Sequence, residues 1–189
     1  MSTIPFQSYK HHFLVAMPSL QEGIFANSIT YLCEHTEQGA MGIVINQPLQ
    51  VCLDEIFEHL DMDGDCRHDN EPIMAGGPVQ TDRGFVLHRP TGQQWDSTLV
   101  IADDVAMTTS KDILEAMARG AGPEQALVAL GYAGWGAGQL EEELARNAWL
   151  TLPADSRIIF DTPIEQRAQL AVGQLGIDLH LIAPGAGHA

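Results

Sequence analysis

A chain of 189 residues, 45% hydrophobic and 18% charged, is long enough to bury a full core in one domain and is neither disordered nor membrane-like in composition. Its 25 acidic against 9 basic residues leave a net charge of −16. No two Lys or Arg lie closer than six positions, the nearest being Arg83 and Arg89, so the counterion release that drives phosphate binding has no local source. Direct nucleic-acid binding and attachment to an anionic membrane are therefore not expected. No apolar run reaches bilayer length, and Phe13 to Met17 is too brief for a signal-peptide core, which points to a cytoplasmic protein. Cys33, Cys52 and Cys66 share no C-x-x-C spacing, so reduced thiols are expected rather than a zinc site or disulfide framework.

Taken along the chain, short apolar segments alternate with helical patterns, the mark of an α/β or α+β domain. The expected organisation is one domain over residues 1–189, with residues 1–9 as a flexible N-terminal tail. "FLVAM", "SITYLCEH" and "MGIVIN" read as strands, the last apolar on both faces and so central. "TEQGA" suits a hairpin between the second and third. Leu53, Ile56, Phe57 and Leu60 recur at helical spacing, with Asp54 and Glu55 near the N-terminus. The polar "DMDGDCRHDNEP" predicts a surface loop; Asp61, Asp63 and Asp65 resemble calcium-loop positions, but Cys66 and Pro72 stand where glycine and glutamate are needed. "PIMAG" and "GFVLH" predict two further strands joined by "GPVQTDR". A helix starts near Ser110 and stops at Gly120; Pro123 suits the first turn of a shorter one. "ALVALGYAG" fits a buried strand or the end of that helix. Near the C-terminus Thr162 and Glu165 suggest a capping box, with Pro163 at the first helical position and an apolar stripe from Ile164 to Leu175.

The glycine-rich "GYAGWGAGQLEEEL" is the feature most like a phosphate loop. Gln139 stands where the third glycine of G-x-G-x-x-G belongs, there is no Walker lysine, and Glu141, Glu142 and Glu143 crowd the helix start with negative charge. A tight turn that packs Tyr132 and Trp135 and then caps a helix is the simpler reading, with Glu142 and its neighbours on a solvated face. Trp135 four residues before Gln139 could instead border a cleft. "AGGPVQTDRG" offers main-chain N–H groups at Gly76 and Gly77, with Arg83 to meet an anion; the alternative is a hairpin turn stiffened by Pro78. Cys33 and His35 fall on one face of a regular strand, but the hairpin pairs His35 with Ala40 and leaves Asn46 too far for a Cys-His-Asn triad. No G-x-S-x-G or H-E-x-x-H occurs.

"FLVAMPSL", "YLCEHTEQGAMGIVINQP", "GGPVQTDRGFVLH" and "GYAGWGAGQLEEELARNAWL", in this order, resemble the bacterial AlgH/YqgE family from about Lys10 to the C-terminus. One departure is Glu22-Gly23, where the family often has Asp-Pro. The resemblance implies a single-domain α/β fold with a mixed sheet that bifurcates and closes into a pseudo-barrel, in a cytosolic bacterial protein. It carries a transcriptional-regulator label and implies no particular reaction.

Together these readings predict a non-enzymatic regulatory or binding protein that acts through a protein partner or small molecule. Gly76, Gly77, Pro78, Arg83, Trp135, Gln139, Glu142 and Asn147 are the candidate contact residues, with no catalytic set, metal or cofactor. The alternative is a hydrolase-type enzyme using His35 or His88 with an acidic residue such as Glu142, which requires those groups to meet in one pocket.

Overall fold

The computed structural model describes residues 5–18, 25–64 and 71–177. Its backbone is built from ten strands and five helices: β1 His12–Ala16, β2 Ile29–Thr36, β3 Gly39–Val44, β4 Pro48–Cys52, α1 Leu53–His59, β5 Pro72–Ala75, β6 Val79–His88, β7 Thr98–Ala102, β8 Val105–Thr108, α2 Lys111–Ala118, β9 Ala126–Gly136, α3 Gln139–Ala145, β10 Trp149–Pro153, α4 Ser156–Phe160 and α5 Arg167–Gly173. The strands form one sheet in the order β10-β1-β2-β3-β9-β6-β8-β7, with β4 and β5 branching from it. It is a mixed sheet, antiparallel but for one pairing, that curls into a bifurcated pseudo-barrel.

The branch point lies on β9. One edge pairs with β6, while the other holds β5 in parallel at Ala129 and Leu130 and then β3, antiparallel, from Ala133 to Gly136. Gly76 occupies the fork: its N–H donates to the Leu130 carbonyl at 2.8 Å and its carbonyl accepts from the Val44 N–H at 2.9 Å. Since β5 and β6 flank opposite edges of β9, the chain between them crosses the β9 backbone. A Cβ on Gly77 would stand 2.0 Å from the Tyr132 carbonyl carbon, and one on Gly131, whose φ is +77°, 2.4 Å from the Gly77 oxygen. Two backbones approach this closely only where both lack side chains. The hairpin turn read at Gly76–Pro78 is therefore a crossing, and the expected connector "VQTDR" is the first half of β6.

The curl separates three apolar clusters. Phe13, Tyr31, Cys33, Ile43, Phe85, Leu87 and Met107 fill its inside, with Ile158, Ile159, Ala171 and Val172 from α4 and α5. Leu53 and Phe57 of α1 and Ile113 and Met117 of α2 cover Val86 and Val128 outside. Leu140 of α3 packs with Leu14, Leu32, Trp135 and Trp149 on a second outer face. Helices α4 and α5 close one end of the interior, tied there by two guanidiniums. Arg89 donates to Ser156 and Asp161, and buried Arg167 donates to the carbonyls of Ile45 and Thr162. Burial lowers the Arg167 guanidinium to about 10, still charged at neutral pH.

Several expectations at element level change. "ALVALGYAG" is strand throughout, and Pro123 starts no helix. The capping box does not form, because the Thr162 hydroxyl donates back to the Arg157 carbonyl at 3.0 Å; a 3-10 turn over Ile164–Gln166 precedes α5. The β7–β8 hairpin, β10 and α4 had no counterpart in the sequence reading. Within the stretch expected as a tail, the Ser8 hydroxyl donates to the His35 carbonyl and the Tyr9 N–H to His35 Nδ1, which ties that segment to β2. The Glu22-Gly23 step and half of the predicted acidic loop, residues 65–70, lie outside the described residues.

Candidate functional site

The end of the curl opposite α4 and α5 opens as a groove of about 720 Å³. Its floor is Met41 of β3, Phe85 of β6, Met107 of β8 and Tyr132 of β9; Glu34, Thr36 and Gln38 form one wall, and Gln80 and Arg83 the other. The floor continues the interior core, since Phe85 and Met107 belong to that cluster and Met41 and Tyr132 pack against it. Polar wall residues Glu34, Thr36, Gln38, Gln80 and Arg83 are exposed, so the groove is a trough open to solvent. Arg83 stacks its guanidinium 5.4 Å from the Phe85 ring centroid and donates to Gln80 Oε1 at 3.3 Å. That contact holds the cation along the wall and leaves Glu34 facing it from the other side.

Glu34 reaches the groove because β2 is bulged. Leu32 pairs with Gly42 and Glu34 with Met41, so Cys33 is an extra residue with no partner. The bulge puts Cys33 in the interior cluster and Glu34 at the mouth above it, while His35 turns to the outer face. A regular strand would have put Cys33 and His35 side by side, as the sequence suggested. The structure separates them, and burial pushes the Cys33 thiol far above its ordinary value, away from nucleophilic character.

On the outer face His35 is consumed in structure. Its Nδ1 accepts the Tyr9 N–H at 2.9 Å, so the Nε2 proton donates to Glu141 Oε1 at 2.7 Å. Both ring nitrogens are thus occupied. His88 lies apart, between the Thr108 hydroxyl at 2.8 Å and the Arg89 carbonyl at 3.1 Å, and burial lowers it below its ordinary value. The three glutamates of "GQLEEEL" divide their roles. Glu141 holds His35, and Glu143 Oε2 accepts the indole N–H of Trp135 and of Trp149, each at 2.8 Å. Glu142 is exposed and meets neither histidine, so the His35/His88 pairing with Glu142 is not formed. Of the face expected to be solvated, Gln139, Glu142 and Arg146 are exposed, whereas Glu143 turns inward to the two indoles.

Of the candidate contact residues, Arg83 and Trp135 line the groove. Gly76 and Gly77 are buried at the fork and crossing, with Pro78 exposed beside them. Gln139 caps the turn by accepting the Gly136 N–H at 3.0 Å, and Glu142 and Asn147 are exposed on and just after α3, outside the groove. Glu34, Met41, Gln80, Phe85, Met107 and Tyr132 were missed. Only the methionines and aromatics at strand positions hinted at them, and such residues read as ordinary core. Among the described residues no group of three His, Cys, Asp or Glu side chains could hold a metal ion, and no helix is long and apolar enough to cross a membrane.

Comparison with known proteins places this geometry. A UPF0301 protein of Saccharophagus degradans is 56% identical over 184 residues, covering 97% of this chain and 90% of that one. Another from Thioalkalivibrio sulfidiphilus is 57% identical over 182 residues, covering 96% and 97%. The solution structure of the AlgH protein from Pseudomonas aeruginosa matches over 100% of both chains with a TM-score of 0.80 and 52% identity. The crystal structure of a Corynebacterium diphtheriae protein, 19% identical, shares the fold with a TM-score of 0.75 over 96% of this chain and 94% of that one. The profile of the AlgH-like family matches residues 13–180. A forked, curled sheet, its crossing glycines and relatives at over half identity across nearly the whole length lead to one conclusion: the chain belongs to the AlgH-like family.

Proposed function

We propose that this is a non-enzymatic binding protein whose contact surface is the groove at the open end of the curled sheet, and that any regulatory role runs through a partner seated there. The observation that carries the reading is the composition of that groove: two methionines and two aromatics on the floor, polar walls, and no convergent acid, base and nucleophile. Met and aromatic side chains supply adaptable apolar contact. An open trough suits a segment of a protein better than a small metabolite, which is ordinarily enclosed on most sides. The His35–Glu141 contact does not favour a hydrolase, because both nitrogens of that ring are committed to holding the backbone and α3. The charge of −16 opposes direct operator binding, so the transcriptional label of the family fits a protein-mediated route best.

The test compares capture and thermal stabilisation by proteins, peptides and a metabolite panel for the wild type and the double variant Glu34→Lys/Arg83→Glu. Both side chains are exposed, so the variant should fold normally. Binders should be lost or weakened at least about ten-fold in the variant. Equal binding by both proteins, or no binder of the wild type, contradicts the reading.

A further inference from the structure

The sheet ends on β7, which pairs on one side only, with β8. The Thr109 N–H donates to the Ser97 carbonyl at 3.0 Å, so Ser97 with Thr109, and next Leu99 with Met107, are the pairs that bond across this antiparallel ladder. Thr98 and Val100, opposite Thr108 and Ala106, therefore turn their N–H and C=O groups the other way, to the open edge. Among the described residues none of those four groups has a hydrogen-bond partner. Residues 96–100 are all exposed, Leu99 to 37% and Val100 to 60%. Natural edges are blunted by lysine, proline, cover or bulges. The other end of the sheet obeys this, since β10 buries Trp149 and Leu152 and finishes at Pro153. From Ser97 to Ala102, in contrast, there is no charge and no proline, and the bulge at Ile101 lies beyond the two outward residues. A hollow of about 350 Å³ runs beside this edge, lined by His88, Pro90, Trp95, Thr98 and Val100 among others. It lies on the face to which Val100 points, because Val100, Ala106 and His88 pair in a row across β7, β8 and β6.

We infer that the β7 edge takes an extended segment of a partner protein as an added strand, apolar in its middle and carrying Lys or Arg at both ends. This is a second contact surface, on a strand that contributes no residue to the groove. The outward groups of Thr98 and Val100 supply the main-chain ladder, and the hollow receives the guest side chain that lies opposite them. Strand addition gains affinity from the first and specificity from the second. The guest's ends are named by charge. Asp96 precedes the uncharged stretch and Asp103 and Asp104 follow it, so basic residues at both ends of the guest are matched in either strand direction. A second copy of this chain is opposed by the same residues. Antiparallel pairing centred on Val100 would set Asp96 against Asp104 of the copy at each end of the joint, and a net charge of −16 adds to that repulsion.

The experiment pans a random peptide phage library on the full-length protein, synthesises the enriched sequence, and follows amide exchange along β7 with and without it. Two variants accompany the wild type. Val100→Pro removes one outward N–H without touching the β8 ladder, its folding checked by unchanged amide spectra of β8 and α2; Val100→Lys blunts the edge at an exposed position. In the free protein the amides of Thr98 and Val100 should exchange at least about ten-fold faster than that of Leu99. The selected peptide should carry basic residues on both sides of an apolar centre and slow those two amides. It should also lose affinity when N-methylated at every second position, and bind both variants at least about ten-fold more weakly. Peptides that leave the two amides unchanged, bind the variants as well as the wild type, show helical spacing or carry acidic ends overturn the proposal, as does a library that yields no binder. A peptide lost only in Glu34→Lys/Arg83→Glu belongs to the groove, which then stands while strand addition at β7 falls. Slowing of Thr98 and Val100 with protein concentration alone assigns the edge to a second copy and overturns the partner named here.

Discussion

Glu143 carries more than its place on a short helix suggests, because one carboxylate oxygen receives two indole N–H groups that are otherwise buried with their rings. Glu143→Ala leaves both donors without an acceptor and should cost about 2–4 kcal/mol in urea denaturation, whereas Glu143→Gln, which keeps an acceptor oxygen, should cost about 1 kcal/mol. A loss under half a kcal/mol for the alanine variant, read as about a surface-level effect, would remove this staple from the account. None of this was legible in "EEE". Three charges in a row carry the pattern of a solvated face, and only the folded positions of His35, Trp135 and Trp149 reveal that Glu141 and Glu143 are held in structural hydrogen bonds. A second residue-level prediction concerns pH. His88 and His11 are both lowered from their ordinary value, with burial the largest cause in each. Between the lowered and the ordinary value the unfolded chain binds protons that the folded chain does not, so stability is full above about pH 6.5 and falls as pH drops below it. Denaturation midpoints at about pH 7.5 and about pH 5.5 should show this fall, and His88→Gln should flatten it even while lowering stability at the higher pH. An unchanged slope in that variant would assign the dependence elsewhere.

At the scale of elements, the glycines that looked like candidate ligand contacts govern how strands cross. Gly131→Ala meets the Gly77 carbonyl at 2.4 Å in a left-handed backbone conformation, and should destabilise by more than about 3 kcal/mol or abolish soluble folding. Gly136→Ala, whose nearest outside atom is the flexible Gln139 Oε1 at 3.9 Å, should stay within about 1 kcal/mol of wild type. Comparable losses in both would contradict the crossing as the reason for the glycines. Helix α4 offers a further check. The Asp155 carboxylate accepts the Arg157 N–H at 3.0 Å and its guanidinium at 2.8 Å, and the Arg157 hydrogen bond is the largest cause holding that carboxyl down at about 2. Its contribution is present above the ordinary carboxylate range and is lost as pH falls through about 2; Asp155→Ala should cost about 1 kcal/mol at neutral pH by thermal melting. Strands β1 to β3 and helices α1 and α2 were legible because each shows one clear period in the sequence. The bulge at Cys33, the crossing at Gly77 and the strand nature of "VQTDR" were not, because each depends on which strand lies alongside.

At the scale of the whole molecule, a sheet that curls around one core needs both ends closed or else leaves one available. Here α4 and α5, tied by Arg89 and Arg167, close one end, and the other remains as the Met-aromatic groove. The fold follows from apolar pattern and family resemblance, but the groove does not, because its residues come from β2, β3, β6, β8 and β9 and meet only after the sheet has curled. Arg83 and Trp135 were within reach of the sequence; Glu34 required the bulge. This mouth is the surface through which the protein is proposed to act. The most direct measurement is site-specific photo-crosslinking in cells expressing the full-length protein, with benzoylphenylalanine in place of Gln38 on the groove wall or of Asn147 after α3. A discrete protein adduct is expected from Gln38, abolished by Glu34→Lys/Arg83→Glu, and none from Asn147. An adduct confined to Asn147, or none from Gln38, would contradict it.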